Sequence, residues 1–579
     1  MWILGIKPSL GKLSPFNYWG YHDGGACLLR DDKILAIAEE ERFTRDKHAN
    51  HTFPTESIRY VLREAGLKLD AIDVVAIGRD PRLQKNATFE EYKERKSPPT
   101  SLRDLYDLAT AGESALAAYG NVHIREVASR LADLADGTFD VEYLTVPHHR
   151  CHAASAAYCA SEPEPVTLTI DGRAEYESTV LWDENLNRIE TIPHTNSVGK
   201  LYSLGAKYLG FRGRVDAGKV MGLSSYGSHR ESFETAFEEF VEVGEGTYNV
   251  STVTRSEDPV ALLESYFGER SRYGEPFEPH HQDFAHHLQI ATEQIVVELA
   301  RSLTVQTGNH DLAIAGGVAL NCKANRALKD ATFVDSLFAQ PAANDAGVCL
   351  GAALDAYRQV TGEAPDPTFD GVYFGPSYGN EEIEQLLENT KLESKRFEDI
   401  CSETARYLAD GYLVGWFQGR MEYGPRALGN RSILADPRDE DSLDLVNANV
   451  KNREKWRPFA PSLLAERRDE YLESGDESGY MIVLDRISET KQDEVPAIVH
   501  VDGTCRPQTV KEETNPRYHR LLREFESITG TPVLLNTSFN VAGEPIVESP
   551  EQALRDFYST GLDVLVLEEY LVTKPHVTL

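Results

Sequence analysis

One supersecondary unit occurs twice in this chain, and the repetition limits the folds open to its first half. The first copy reads as a strand at 2–6, a loop ending in His22-Asp23-Gly24-Gly25, a strand at 26–30, an Asp31-Asp32 turn and a strand at 33–39. A helix with apolar residues at Ile58, Val61 and Leu62 follows, then a strand at 74–78. The second copy has a strand at 166–170, the loop Asp171-Gly172, a strand at 178–182, an Asp-Glu-Asn turn and a strand at 188–192. Strand, acidic-glycine loop and hairpin, used twice, predict two related α/β lobes that present acidic loops at strand ends toward one cleft.

That is the plan of the actin, sugar kinase and Hsp70 ATPases, so the expected class is α/β with a duplicated actin-like (ASKHA) N-terminal domain. The analogy predicts a nucleotide cleft and no particular reaction. At 579 residues the chain exceeds what one core organises. The Pro-containing stretch 363–368 marks a boundary, giving expected domains at 1–362 and 369–579, the second opening with a strand and helix in FDGVYFGPSYGNEEIEQLL. An excess of 93 Asp+Glu over 59 Lys+Arg gives a net charge of −34, which repels polyanions and argues against a nucleic-acid partner. Seven scattered cysteines without a Cys-x-x-Cys pair suit reduced thiols. With no apolar run of about 18 residues and no signal-like start, the expectation is a soluble, cytoplasmic protein without a membrane partner. Oligomeric state is not legible.

Chemistry-bearing residues begin at PHHRCHAASAAY, residues 147–158, where His148 and His152 share one helix face. Two imidazoles at that spacing can bind one divalent cation; the alternative is a polar helix start with one satisfied histidine. The stretch from Gly213 to Val220 approaches a phosphate-binding P-loop and fails it. Val220 stands where a Ser/Thr hydroxyl must reach magnesium, and LYSLGAKYLGF before it reads as helix where a strand is required. Lys219 and Gly222 remain candidates to line a ligand. A strand at 312–315 runs into Gly316-Gly317 and Val318-Ala319-Leu320-Asn321. Bare backbone amides there suit a nucleotide's sugar or phosphate, and tight strand-to-helix packing accounts for the glycines as well. Asp345, in Asn344-Asp345-Ala346-Gly347, either caps the small-residue helix after it or completes a facial set with His148 and His152.

From Arg420 to Arg457 eight basic residues (Arg420, Arg426, Arg431, Arg438, Lys451, Arg453, Lys455, Arg457) meet seven acidic ones, near neutrality in an otherwise strongly negative chain. Arg426 lies between Tyr423-Gly424-Pro425 and Ala427-Leu428-Gly429-Asn430-Arg431, so a rigid turn aims its guanidinium. Guanidinium groups grip phosphate bidentately and Lys451 adds a compact charge, while Arg506 and Ser538 at or near strand ends can join them. The alternative is a solvated, salt-bridged face.

Taken together, YHDGGACLL, PHHRCHAASAAY, GKVMGLSSYG, AGGVALNCKANRAL, NDAGVCLGAAL, EYGPRALGNRSILADPR, VKNREKWRPFAPS, HVDGTCRPQTV and LLNTSFNVAGEPIV resemble the bacterial O-carbamoyltransferases of nodulation-factor and antibiotic biosynthesis, in that family's order. The resemblance implies an actin-like domain similar to tRNA threonylcarbamoyltransferases, followed by a twisted-sheet α/β domain similar to threonylcarbamoyl-adenylate synthases. It implies His148, His152 and Asp345 as metal ligands, with iron the family's usual ion, and His22 as the catalytic histidine. Arg426, Lys451, Arg457, Arg506 and Ser538 are implied as ligands for ATP, which travels with magnesium, and carbamoyl phosphate. One departure is visible: Ala174 stands where the family has glycine.

The implied reaction joins carbamoyl phosphate and ATP into carbamoyl adenylate, then moves the carbamoyl group to a hydroxyl of a small-molecule or glycan acceptor. Fixed Arg and Lys groups suit the first stage. A base and a metal suit the second, because a hydroxyl is a weak nucleophile near neutral pH. A tRNA-modifying enzyme would share both domain types, but the net charge opposes a tRNA partner. A non-catalytic actin-like protein would need neither the paired histidines nor the arginines.

Overall fold

Each copy of the repeated unit forms one five-stranded sheet, and the two sheets share a strand order. The computed structural model describes residues 1–9, 12–14, 17–18, 22–83, 113–135, 139, 141–390, 392–451, 453–454 and 456–577. The first sheet comprises β1 (Trp2–Lys7), β2 (Gly25–Arg30), β3 (Lys33–Glu39), β4 (Val74–Ile77) and β5 (Glu142–Thr145). The second comprises β6 (Val166–Ile170), β7 (Glu177–Trp182), β8 (Arg188–Pro193), β9 (Asp311–Ala315) and β10 (Ser336–Ala339). The orders are β3-β2-β1-β4-β5 and β8-β7-β6-β9-β10. In both, three strands form an antiparallel meander and two more join in parallel. β6 and β9 are buried on both faces, which is why they read as near-continuous apolar runs. The acidic-glycine loop joins first strand to second in each sheet, and pairing of Lys7 with Gly25 brings the end of β1 beside Asp23.

Two helices between these sheets touch at backbone distance. A side chain on Gly351, in the helix Val348–Thr361, would lie 1.8 Å from the carbonyl oxygen of Cys151 in the helix His148–Ala157. One on Gly5 would lie 2.1 Å from the carbonyl of Cys349. Only glycine permits such approaches. The small residues of AASAA serve the same end: Ala153, Ala154 and Ala157 pack on Val180 and Trp182 of β7.

The largest sheet is eight-stranded and mixed. Its strands are β11 (Ser394–Arg396), β12 (Val414–Phe417), β13 (Arg431–Ala435), β14 (Ala460–Leu464), β15 (Gln508–Val510), β16 (Val533–Ser538), β17 (Val564–Leu567) and β18 (Tyr570–Thr573). They run in the order β11-β18-β17-β12-β13-β16-β14-β15. Alternation decides its faces. Val414, Trp416, Leu434, Val564 and Val566 meet Leu408, Leu521 and Phe525 from two helices, whereas Phe417, Ile433, Leu565 and Leu567 meet Ala553, Phe557 and Leu387 on the other side.

By packing, the chain divides into one unit of residues 1–217, 229–320 and 327–369 and another of 218–228, 321–326 and 370–579. The strand expected at the start of the second region does not form. Gly371, Gly375 and Pro376 interrupt it, and the segment instead makes single backbone bonds, Tyr423 N–H to Val372 and Gly375 N–H to Met421; the helix Asn380–Thr390 does follow. The P-loop-like stretch is a 3₁₀ turn, Gly213–Asp216, and a helix, Gly218–Ser224, preceded by the helix Val198–Tyr208. Ala174 is buried, donates its N–H to Glu177 at 2.9 Å and has no left-handed backbone, so glycine's freedom is not required there.

Candidate functional site

The helix His148–Ala157 points two imidazoles the same way, and two loops bring carboxylates to them. Nε2 of His148 and Nε2 of His152 are 3.1 Å apart. His148 Nε2 lies 3.2 Å from Asp171 Oδ2 and 3.3 Å from Asp345 Oδ1; for His152 the same two distances are 3.7 and 4.0 Å. Donors about 2.0–2.2 Å from one ion are separated by such spacings, and two imidazoles with two carboxylates suit a divalent transition metal. The fit is sharpened by burial, since both histidines are almost inaccessible and both nitrogens turn toward each other rather than toward water. These four residues form a metal-competent group. Burial opposes a charge on His148, yet the Asp345 and Asp171 carboxylates outweigh it and lift that imidazole to about 9. Burial likewise opposes charge on Asp345, but Lys7, His148 and His22 hold it well below the usual carboxylate range.

Further groups steady the centre. Lys7, the buried last residue of β1, lies 2.8 Å from Asp345 Oδ2 and donates to the backbone carbonyl of His22. Glu175 Oε1 accepts the N–H of His148 at 3.1 Å and that of Asp80 at 2.9 Å. It thus caps a helix whose own Ncap, Pro147, has no side chain able to do so. Asp345 makes no helix cap; it lies in a 3₁₀ turn, Asp345–Gly347, ahead of the helix. His22 Nδ1 is 2.8 Å from Asp23 Oδ2, and His48 Nδ1 is 2.8 Å from Asp23 Oδ1. Burial resists charge on Asp23, and those two imidazoles nevertheless pull it far below its ordinary value. His22 Nδ1 is also 3.8 Å from Asp345 Oδ2, so the histidine borders the metal-competent group.

In the second unit the basic stretch separates by role. Arg420 donates to the carbonyls of Phe374 and Gly375, Arg438 pairs with Asp436, and Arg453 donates to Asn447. Arg431 lies 3.6 Å over the Phe417 ring and donates to the carbonyls of Gln418, Gly419 and Pro376. Arg426, Arg457 and Arg506 remain together. Burial and the charges of Arg506 and Arg457 lower Arg426 to about 9, and burial lowers Arg506 as well. Among the described residues neither Arg426 nor Arg506 has a carboxylate partner, and the Nε of each is buried without a hydrogen bond. Both are half-buried, so a small anion can reach them. Cys322 lies within hydrogen-bonding reach of Arg506.

The other sequence candidates fall in three places. Lys451 Nζ donates to Ser538 and, at 2.7 Å, to Asn540 Oδ1, which ties two expected ligands together at the end of β16. Lys219 reaches Glu454 at 3.2 Å, and a side chain on Gly222 would meet the Trp456 ring at 3.1 Å. Asn321 caps a helix through the N–H of Ala324. Gly316, at φ 93°, has no room for a side chain, which would lie 2.2 Å from the Ile170 carbonyl, while one on Gly317 would lie 3.0 Å from Asp171 Oδ1 at the metal-competent group. Lys455 is outside the described residues. Sequence reading missed Asp171, Lys7, Glu175 and Asp23; the repeated acidic-glycine loops were the available signal for two of them.

The family described as Carbamoyltransferase N-terminus matches residues 16–354, and that described as Carbamoyltransferase C-terminus matches residues 405–574. Nodulation protein NolNO of Sinorhizobium fredii is 38% identical, with 99% of this chain and 83% of that protein aligned. The 3'-hydroxymethylcephem-O-carbamoyltransferase of Streptomyces clavuligerus is 29% identical over 92% of this chain and 94% of its own length. A solved structure, the (R)-2-hydroxyglutaryl-CoA dehydratase component A of Acidaminococcus fermentans, overlaps 62% of this chain and 98% of its own at 15% identity with a TM-score of 0.33. With both family regions present in order and relatives aligned along nearly the whole sequence, the chain belongs to the carbamoyltransferase family of enzymes.

Proposed function

We propose that this enzyme is an ATP-dependent O-carbamoyltransferase that works in two stages, with carbamoyl adenylate made in the unit carrying Arg426 and consumed in the unit carrying His148. The observation that carries the reading is the group Arg426, Arg457 and Arg506, crowded together with no carboxylate partner on the first or last among the described residues. Like charges drawn out of water call for an anion. Carbamoyl phosphate and the triphosphate of ATP, the latter with magnesium, are the anions such a reaction supplies. Carbamoyl phosphate loses its phosphate to water, giving carbamate and orthophosphate. A carbamate oxygen then bonds to the α-phosphorus of ATP and pyrophosphate leaves. Charge accumulates on phosphate oxygens in both steps, where fixed guanidinium groups and the Lys451 ammonium stabilise it.

In the other unit, His148, His152, Asp171 and Asp345 would hold a divalent ion, and their mixed imidazole and carboxylate donors suit iron. Such an ion supplies Lewis acidity to a carbonyl or hydroxyl oxygen. The hydrogen bond from His22 Nδ1 to Asp23 leaves Nε2 with its lone pair free, so that it can take the acceptor's proton. The acceptor oxygen bonds to the carbamoyl carbon, and AMP leaves with the bonding electrons. The acceptor is a hydroxyl of a small molecule or glycan, the former being the class that the name of the cephem relative states.

The test is Arg426→Ala. Pyrophosphate release with carbamoyl phosphate and ATP should fall by about 10² to 10³, the cost of removing one fixed charge-stabilising group, while metal content stays the same. Release at the wild-type rate would exclude the arginine group from the chemistry.

A further inference from the structure

The loop that presents Arg426 runs from the end of β12 to the start of β13, and its backbone polar groups are taken up by side chains, some from neighbouring elements and some from the loop itself. The carbonyl of Ala427 accepts from Asn536 at 3.2 Å. That of Leu428 accepts from Tyr373 and Gln508, each at 2.8 Å. That of Gly429 accepts from Trp416 at 2.9 Å and Gln418 at 3.1 Å. The N–H groups converge on one atom: Glu422 Oε1 accepts from Leu428 at 2.7 Å, Asn430 at 3.0 Å and Arg431 at 3.1 Å. Gly429, at φ 101°, faces the Tyr518 ring, which a side chain would meet at 2.2 Å.

Glu422 is almost wholly buried, and it belongs to the same loop that it organises. A buried carboxylate is costly unless it is well bonded, and here three backbone donors from residues 428–431 close a ring whose far side carries Pro425 and Arg426. Burial, Arg506, Cys322 and Arg457 are the main influences on the Arg426 guanidinium, and no carboxylate is among them. Among the described residues its other oxygen, Oε2, is buried without a hydrogen bond, so the bonds this side chain makes are on Oε1.

We infer that Glu422 is a positioning residue for the first reaction: by gathering three N–H groups on Oε1 it fixes the loop in the one shape that aims Arg426 at a phosphate oxygen. This rests on the reading of Arg426 as a phosphate-binding group. Precise placement is worth much in such a step, because a shift of about 1 Å in a positioned group can cost about 10²-fold in rate.

Two substitutions separate reach from charge. Glu422→Gln removes the charge and keeps an oxygen at the same distance along the side chain; Glu422→Asp keeps the charge and draws the oxygens back by one methylene. Pyrophosphate release is measured against carbamoyl phosphate concentration on the full-length protein, with thermal unfolding and metal content alongside. The Gln variant should stay within about 3-fold of wild type in kcat/KM, and the Asp variant should lose about 10- to 100-fold, chiefly through KM for carbamoyl phosphate. The opposite order would mean that charge rather than loop shape matters, and would overturn the inference. So would an Asp variant that unfolds at the same temperature as wild type with its KM unaltered. If Glu422→Asp proves too unstable to assay, a Gln variant with raised KM and wild-type thermal stability overturns it equally. Arg426→Ala distinguishes the two levels: normal pyrophosphate release there removes the phosphate reading itself, whereas a loss there combined with an unaffected Asp variant removes only the role of Glu422.

Discussion

Asp171 and Asp345 face two imidazoles, and each is kept anionic by different neighbours. Lys7, His148 and His22 act on Asp345, whereas hydrogen bonds from His148 and His152 act on Asp171 against the opposing effect of burial. Two carboxylates beside two imidazoles would balance one divalent cation, and removal of either charge would leave such an ion over-charged and short of a donor. Asp171→Asn should therefore lower metal occupancy, weakening affinity by at least about 10-fold in chelator competition, while pyrophosphate release by the other unit continues. Full metal content with unchanged chelator resistance would remove Asp171 from the centre. The sequence disclosed the histidine pair because their spacing is a property of one helix, and it offered Asp345 as one of two readings. Asp171 was visible only as part of a recurring loop. Lys7 and Glu175 gave no signal, since their partners lie hundreds or tens of residues away and a lysine ending a strand looks like any surface residue.

Periodicity made eight strands of the two five-stranded sheets legible, because each alternates or runs apolar over a few residues, and both meanders were recognised from the hairpin turns; β5, β10 and the strand ranges of the eight-stranded sheet were not read. The helix Pro279–Thr307 shows what pattern alone does not reach. Its N-terminal turn is closed by His281, whose Nδ1 accepts the N–H of Glu278 at 3.1 Å while Nε2 donates to the Glu269 carbonyl at 2.9 Å. Two turns on, His287 Nε2 accepts the N–H of Arg230 at 2.9 Å. Both rings must be neutral to accept, and burial lowers both below the ordinary histidine value. The charges around them are His280, Glu278 and Glu269 for the first and His286, His229, Glu234 and Asp283 for the second. A histidine harder to protonate when folded than when unfolded stabilises the fold above about pH 6.5, and that contribution is lost as pH falls from there through the folded value. Thermal unfolding should thus drop between pH 7.5 and 5.5 by more in wild type than in a variant with His281→Gln and His287→Gln, whose amides can accept without titrating. Parallel drops in the two proteins would refute the assignment.

At the scale of the whole chain, the change from one compact unit to the other falls between Phe369 and Asp370, just past the Pro-containing stretch, but two short excursions were not legible. Residues 218–228 and 321–326 are embedded in the region that matches the N-terminal family, yet they pack with the C-terminal unit. There Lys323 approaches Asp502 at 3.4 Å, Asn325 donates to Ile482, and the rings of Tyr226 and Trp456 meet edge to face. Composition cannot reveal this, because such a segment is defined by what lies across from it. If residues 370–579 are replaced by the equivalent part of NolNO, the chimera should unfold at a lower temperature than one in which 218–228 and 321–326 are replaced as well. Equal stability would show that these contacts are interchangeable. The arrangement also bears on inheritance. A single crossover near residue 369 would leave two segments fitted to a partner no longer encoded beside them, so the halves of such a gene are poor candidates for shuffling and are bound to diverge as one lineage.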